Sequence, residues 1–260
     1  MVRCHPNNGA TLCHRSFDRY QQGECEQVWA QLVALGDQVR AEPLYSDALA
    51  VARETMRRAR LNIEMLVPRL HHIGHHFYQW GKDIYQNALP DHVEEVHRVM
   101  PVFAPPSAHV RSTIAAIEVK AGRLPLSLSA FYEIVGTVNF TGRHTEWRLN
   151  GYRLDALEVH SAELALAGCD DWGTEDGEYR MSVPIGSDEY HKDGMSGNGP
   201  YTIVLPEPGI DARLQNEWHR TTFVNYLRIC FRWGGFPSLE RVACPPTDDL
   251  AFLTRDLLSI

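Results

Sequence analysis

Four histidines within six residues are the feature of this sequence that comes closest to a metal site. Residues 71–76 read HHIGHH, and the pairs His71/His75 and His72/His76 have i, i+4 spacing. That spacing places two imidazoles on one face of a helix, as helical zinc sites require. However, no Glu follows the first His as a metalloprotease base, and the glycine interrupts the helix. We therefore interpret the segment as a helix C-terminus, where cations are favoured, and keep a metal-dependent hydrolase using these histidines as the alternative.

Two other short motifs lack the partners that their chemistry needs. Glu94–His97 contains one Glu-x-x-His, whereas a di-iron bundle needs a second copy and further carboxylates on facing helices. The segment Gly194–Gly199 approaches the nucleophile elbow G-x-S-x-G, but Asn198 stands where the last glycine belongs. We therefore predict no catalytic residues and no cofactor, and we expect this segment to be a turn between two strands.

An acidic segment around one tryptophan is the predicted binding site. Residues 169–178 read CDDWGTEDGE, in which five carboxylates surround the tryptophan. Acidic clusters speed association with basic partners, and tryptophan is enriched at binding hot spots. The alternative is a solvated polar loop whose tryptophan folds inward. The residues predicted to contact a partner are Asp170, Asp171, Trp172, Glu175, Asp176 and Glu178.

Composition limits the class of partner and the compartment. The chain has 33 acidic against 25 basic residues, a formal net charge of -8, which disfavours binding to phosphate backbones or anionic lipid. Four arginines on one helix face, between 53 and 60, are most simply a solvated surface. The six cysteines form no C-x-x-C pair or dense disulfide framework, and no apolar run is long enough to span a bilayer. We expect a cytoplasmic protein that binds neither nucleic acid nor membrane.

Helical periodicity dominates the N-terminal half of the chain. Apolar residues recur every three or four positions over 18–40 and again from a cap at Ser46 or Asp47 onward, which predicts an antiparallel helical hairpin. Pro68 should kink or end the second helix, and Gly74 should stop it. Residues 76–81 follow as a short predicted strand, and a proline-rich irregular connection leads to a boundary near Ser107.

The pattern changes from helices to strands in the C-terminal half. A helix capped by Ser107 should end at Gly122, and a second helix should begin at Pro125 and end at Gly136. Turn-rich segments at 168–177 and 194–200 separate the strand candidates. Helices open at Thr222 and Thr247, the last running to 258. The predicted strands cover residues 137–140, 156–160, 179–185, 201–205 and 213–216. Helices first and mostly strands second indicate an α+β fold.

One stretch resembles the opening of the SUKH superfamily. The segment Ile114–Gly136 reads IAAIEVKAGRLPLSLSAFYEIVG, an apolar helix bearing a Glu, then Leu-Pro, a small polar residue, an aromatic position and a closing glycine. Leu124 staples the helix entry, Pro125 fixes its first turn, and Phe131 enters the core. This pattern is similar to that of Smi/Knr-type cell-wall assembly regulators and bacterial toxin-immunity proteins, over roughly residues 107–258.

The resemblance implies a fold and a general role. It implies an antiparallel or mixed sheet flanked by helices, and a non-catalytic protein that binds another protein, such as a basic toxin whose active site it occludes. A regulatory or scaffold module is the other role found in such a family. The expected organisation is a flexible lead-in at 1–17, a helical extension at 18–106, and a SUKH-like domain at 107–260 that either shares a core with the extension or has its own.

Overall fold

The N-terminal helices form the predicted antiparallel hairpin. A computed structural model of the chain describes residues 16–77, 101–173 and 179–260. Helix α1 spans Cys25–Ala34 and helix α2 spans Leu44–His72. The Trp29 indole N–H donates to Thr55 Oγ1 at 3.0 Å, and Cys25 Sγ lies 3.4 Å from Arg58 Nη1. Because these contacts pair earlier residues of α1 with later residues of α2, the two helices run in opposite directions.

The predicted cap of α2 is wrong, and Pro68 does not end the helix. The helix begins at Leu44 with no side-chain cap, and the buried Asp47 instead accepts the backbone N–H of Phe17 at 3.2 Å. The helix also continues through Pro68 to His72. Proline removes only the bond to the carbonyl one turn earlier, and the buried residues Leu66 and Leu70 on either side hold the helix against the core. Of the predicted lead-in at 1–17, only residues 16 and 17 are described, and they are helical.

The two helices predicted between residues 107 and 136 are present, but Ser107 does not cap the first of them. Helix α3 spans Val110–Ala121 and ends at Gly122, and helix α4 spans Leu126–Ile134 with Pro125 at its N-cap. Gly136 has a φ of 96°, which is the left-handed exit that the pattern predicts. Helix α3 begins three residues after Ser107, whose hydroxyl accepts the N–H of His109 at 3.3 Å.

Three small antiparallel sheets replace the single sheet that was expected, among the residues that the structure describes. The first pairs β1 with β4, the second has the order β2-β3-β5, and the third has the order β6-β7-β8. In the second sheet Val138 lies between Phe103 and Val159, and in the third Ser182 lies between Asp170 and Val204. The strands are β1 His76–Phe77, β2 Phe103–Ala104, β3 Thr137–Asn139, β4 Gly142–Arg143, β5 Glu158–Val159, β6 Asp170–Gly173, β7 Tyr179–Gly186 and β8 Tyr201–Val204.

Several C-terminal elements differ from the predicted ones. Residues 213–216 make only isolated bridges rather than a strand, and residues 170–173, predicted as turns, form β6. Of the strand predicted over 76–81, residues 78–81 lie outside the described residues. The remaining helices are α5 Ala162–Ala167, α6 Glu189–Lys192, α7 Phe223–Arg232 and α8 Thr247–Thr254, of which α5 and α6 were not predicted. A 3-10 turn spans Pro237–Arg241.

Buried side chains from both sides of residue 107 belong to one hydrophobic cluster. Met56 and Ile63 of α2, Phe131 of α4 and Phe223 of α7 are all fully buried in it. The mixed α+β class predicted from the sequence is confirmed, whereas the likeness to the SUKH superfamily stays a prediction. None of the described helices combines the length and the apolar character needed to cross a membrane.

Candidate functional site

The histidine segment is a helix terminus, and the premise of the zinc alternative is wrong. The N–H of Gly74 donates to the carbonyl of His71 at 3.1 Å, and the N–H of His75 donates to that of Leu70 at 2.9 Å. These two bonds, with Gly74 at a φ of 83°, form a Schellman motif that ends α2. His75 and His76 therefore lie outside the helix, so the i, i+4 pairs do not share a helix face.

His75 is a core residue. Its side chain is buried, and its ring makes edge-on contacts with Phe77 and Phe236, with centroids 5.0 Å apart in both pairs. Nε2 lies 3.0 Å from the carbonyl oxygen of Phe140, so Nε2 carries the proton and donates it. Burial lowers the pKa of His75 to about 4, which keeps the ring neutral at physiological pH. Within the described ranges, no group of His, Cys, Asp and Glu is arranged to hold a metal ion.

The predicted acidic binding segment is only partly described. The backbone of residues 170–173, which includes Asp170, Asp171 and Trp172, is paired with β7 rather than looped. Glu175, Asp176 and Glu178 lie outside the described residues. Partner contact by this segment therefore stays a prediction.

The four arginines on this face of α2 are all paired with glutamates. Arg57 and Arg58 both contact the Glu54 carboxylate, at 2.7 and 2.9 Å. On the same helix Arg60 pairs with Glu64 at 2.8 Å. Arg53 pairs with a glutamate of α4 at 2.9 Å. Because each arginine has a carboxylate partner, the face does not present the unpaired positive charge that a phosphate backbone attracts.

The structure brings together a different set of exposed and partly exposed side chains, which we call the Tyr152–Tyr190 surface. It consists of Tyr152, Arg153, Glu189, Tyr190, Asp193 and Arg241. The two tyrosines are 53% and 41% exposed, whereas no other tyrosine or phenylalanine whose side chain the structure describes is among the exposed large hydrophobic residues. A cavity of about 190 Å³ is lined by both tyrosines.

A tight hairpin presents Tyr152. Leu149 and Tyr152 exchange both backbone hydrogen bonds, at 3.0 and 2.9 Å, around Asn150 and Gly151. Both central residues have positive φ, 53° and 87°, as a type I′ turn requires. Asn-Gly is the strongest short hairpin signal in a sequence. This dipeptide is the signal that would have located the turn, although it gives no indication of what the turn contacts.

A buried ion pair holds the two parts of the surface together. Lys192, the last residue of α6, donates to Asp155 at 2.7 Å and to the carbonyl of Ala156 at 2.9 Å, and the Tyr201 hydroxyl donates to the other Asp155 oxygen at 3.2 Å. Burial alone would lower the pKa of Lys192, but the charges of Asp155 and Glu158 outweigh it and raise the pKa. The ammonium ion therefore persists and fixes α6, which carries Tyr190, against the irregular segment that follows Tyr152.

Asp188 organises the loop beside this pair. Its carboxylate accepts the N–H of His191 at 2.8 Å, the N–H of Asn198 at 2.6 Å and the N–H of Gly199 at 3.1 Å. Burial alone would raise the pKa of Asp188, but these hydrogen bonds outweigh it and lower the pKa. Residues 194–199, whose sequence approaches a nucleophile elbow, thus form a loop. The backbone N–H groups of Asn198 and Gly199 in this loop bind the Asp188 carboxylate, which also caps α6.

A strained loop borders the surface. Asn216 and Arg220 both have positive φ, 63° and 54°, which non-glycine residues adopt at a cost and which often marks functional regions. Between them, Trp218 lies under the Arg241 guanidinium at 4.6 Å, and Arg241 also pairs with Glu189. Arg241 therefore connects this loop with α6. Sequence reasoning missed the surface because its members come from three separate segments.

Comparisons with known proteins add no assignment to this site. No family model matches the chain, and no curated protein or solved structure matches it either.

Proposed function

We propose that this chain is a non-catalytic protein that binds another protein through the Tyr152–Tyr190 surface. The observation that carries the proposal is the pair of exposed tyrosines around one cavity, Tyr152 on a tight hairpin and Tyr190 on α6. Tyrosine and arginine are the residue types, with tryptophan, that dominate binding energy at protein interfaces. The surface carries both.

The support beneath the surface favours binding by a preformed site. The Asp155–Lys192 pair has side chains 0% and 1% exposed, so it is shielded from solvent. A buried pair of this kind contributes little net stability compared with apolar packing, but it fixes one arrangement of the elements that carry it. A site whose side chains are already ordered loses less conformational entropy when a partner binds.

We propose further that the partner is a basic toxin and that binding neutralises it. The net charge of -8 and the acidic residues predicted at 170–178 support a basic partner, because opposite charge accelerates encounter. The resemblance of residues 114–136 to the SUKH superfamily supports the immunity role. Asp170, Asp171, Trp172, Glu175, Asp176 and Glu178 would then form a second contact that steers association.

The surface is tested with a double substitution, Tyr152→Ala with Tyr190→Ala. Proteins captured from the source organism with the wild-type chain are identified, and the affinity of each purified candidate partner is measured. A hot-spot tyrosine contributes about 2 kcal/mol, so the double variant should bind at least ~30-fold more weakly. The matched control is Val33→Ala with Val119→Ala, which changes two exposed apolar residues elsewhere. Equal affinity for the wild type and the tyrosine variant would refute the assigned surface.

The toxin role is tested by growth and by association rate. Co-production of the chain should restore growth to cells that produce the captured partner, and the tyrosine variant should not. Asp170→Ala with Asp171→Ala should slow association at low salt and leave dissociation unchanged, as steering charges do. A partner that is harmless to cells would contradict the toxin role and leave the binding surface in place.

A further inference from the structure

The cavity of the Tyr152–Tyr190 surface contains four charged side chains whose charges cancel in pairs. Arg153 Nε lies 3.5 Å from Asp193 Oδ1, and Arg241 pairs with Glu189. A charged guest would have to displace one member of a pair or remain unpaired in a partly enclosed site, and both are costly. The lining therefore favours an uncharged guest.

Four of the five other lining residues are apolar or aromatic, and the fifth is Asn150. Leu149, Tyr152, Tyr190 and Met195 line the same cavity. Aromatic rings favour edge-to-face contacts with another ring, and the methionine thioether packs well against ring edges. These walls fit a ring better than they fit a polar amide or a branched polar group.

The volume sets the size of the guest. The cavity holds about 190 Å³, and an apolar cavity of roughly 150 Å³ is known to accept one benzene molecule. One phenyl or phenol ring therefore fits. A whole segment of helix or strand does not fit, so the guest is a single side chain projecting from a larger surface.

We infer that the cavity receives one uncharged aromatic side chain, a phenylalanine or tyrosine, from the protein partner. This inference rests on the proposed function, because it names the group that the partner inserts at the same surface. The inserted ring is enclosed by Tyr152, Tyr190 and Met195, and the two ion pairs form a polar rim around it. Binding to this chain therefore depends on an aromatic anchor in the partner as well as on the partner's basic charge.

The guest preference is measured without the partner, by titrating the isotope-labelled chain with side-chain analogues and following amide resonances. The probes are p-cresol for tyrosine, n-butylammonium for lysine and propionate for glutamate, at equal concentrations. We expect p-cresol to shift the amides of residues 149–153 and 189–195 with saturation, and the two ions to leave them unchanged. Met195→Trp places an indole in the cavity and should abolish the shifts, whereas Val119→Trp, at an exposed site on α3, should preserve them.

Three outcomes overturn the inference. They are stronger shifts with either ion than with p-cresol, no shifts with p-cresol, or p-cresol shifts that persist in Met195→Trp. If Met195→Trp does not fold, the p-cresol titration is made with Tyr152→Ala instead, which removes one wall of the cavity at an exposed position. A failure of the proposed function alone would give a different result. In that case p-cresol would still occupy the cavity, but the double tyrosine variant would bind the captured partner as tightly as the wild type.

Discussion

At the scale of single residues, His75 shows how burial decides what a titratable group does. Its Nε2 donates to the Phe140 carbonyl and its ring packs between two phenylalanines, so protonation would place an uncompensated charge in the core. The pKa falls from an unfolded value of about 6.5 to about 4 in the folded chain. Stability from this group is therefore fully present above pH ~6.5 and is lost as the pH falls toward 4.

We predict that His75→Gln reduces the acid sensitivity of the fold. In the wild type this histidine should cost about 2 kcal/mol of unfolding free energy between pH 7.5 and pH 5, because only the unfolded state takes up the proton. Glutamine can still donate a hydrogen bond but does not titrate. Urea unfolding at the two pH values measures the difference, and His76→Gln, at the neighbouring exposed position, is the control. An identical pH dependence in both variants would show that His75 does not titrate as proposed.

At the scale of elements, the two turns that depend on glycine differ in their surroundings. Gly136, which ends α4, has a φ of 96°, and a Cβ there would lie 2.4 Å from the Ala104 carbonyl oxygen and 2.7 Å from the Pro105 carbonyl carbon. Gly151, in the hairpin that presents Tyr152, has a φ of 87° and open space around it. The first position combines backbone strain with a steric clash, whereas the second has strain alone.

We predict unequal costs for the same substitution at these two glycines. Gly151→Ala should lower the unfolding free energy by about 1–2 kcal/mol, the usual cost of a left-handed conformation for a residue with a Cβ. Gly136→Ala should cost more than about 3 kcal/mol, since its neighbours are backbone atoms that cannot rotate away. Urea unfolding of both variants gives the comparison. Equal losses would mean that the β2 segment shifts easily, which would contradict the close packing of β2 against the exit of α4.

Local signals explain which elements could be predicted from the sequence. The glycines at 122 and 136 end helices through their own backbone freedom, so their effect is visible without tertiary contacts. Pro68 does not end α2, because the burial of residues on both sides of it outweighs the loss of one hydrogen bond. Strand β2 was not predicted because Phe103 finds its partner Val138 far along the chain, and a two-residue strand carries no alternating pattern.

The candidate site was beyond sequence reasoning for a related reason. Tyr152 and Tyr190 are ordinary residues in sequence, and the Asp155–Lys192 and Arg153–Asp193 contacts place them at one surface. Nothing in the spacing of a single aspartate and a single lysine predicts that they meet in the core. The histidine segment, in contrast, has a spacing that is easily recognised in the sequence. However, α2 ends at His72, so His75 and His76 do not continue its helix face.

At the scale of the whole molecule, residues 257–260, which lie outside any helix or strand, link distant parts of the fold. The Asn62 amide of α2 donates to the Leu258 carbonyl at 2.9 Å, and its oxygen accepts the Leu258 N–H at 2.7 Å. Arg58 donates to the Ser259 carbonyl at 3.1 Å, and Arg228 of α7 donates to the Ile260 carbonyl oxygen at 2.7 Å. Side chains from two helices thus hold this extended segment by its backbone.

The segment closes the core over α2, and Asn62 is the residue on which that closure depends most. Its side chain is fully buried and forms both hydrogen bonds of the Leu258 peptide groups, while Ile260 is only 4% exposed. Asn62→Ala should lower the unfolding free energy by about 2–3 kcal/mol, because it removes two hydrogen bonds and leaves the partly buried Leu258 N–H and carbonyl without this partner. Asn225→Ala, at an exposed asparagine of α7, should change it by less than about 0.5 kcal/mol. Hydrogen exchange locates the effect: the Leu258 amide should exchange at least tenfold faster in Asn62→Ala. Unchanged protection of that amide would mean that the arginine contacts alone hold the segment, and the assignment of its closure to Asn62 would be wrong.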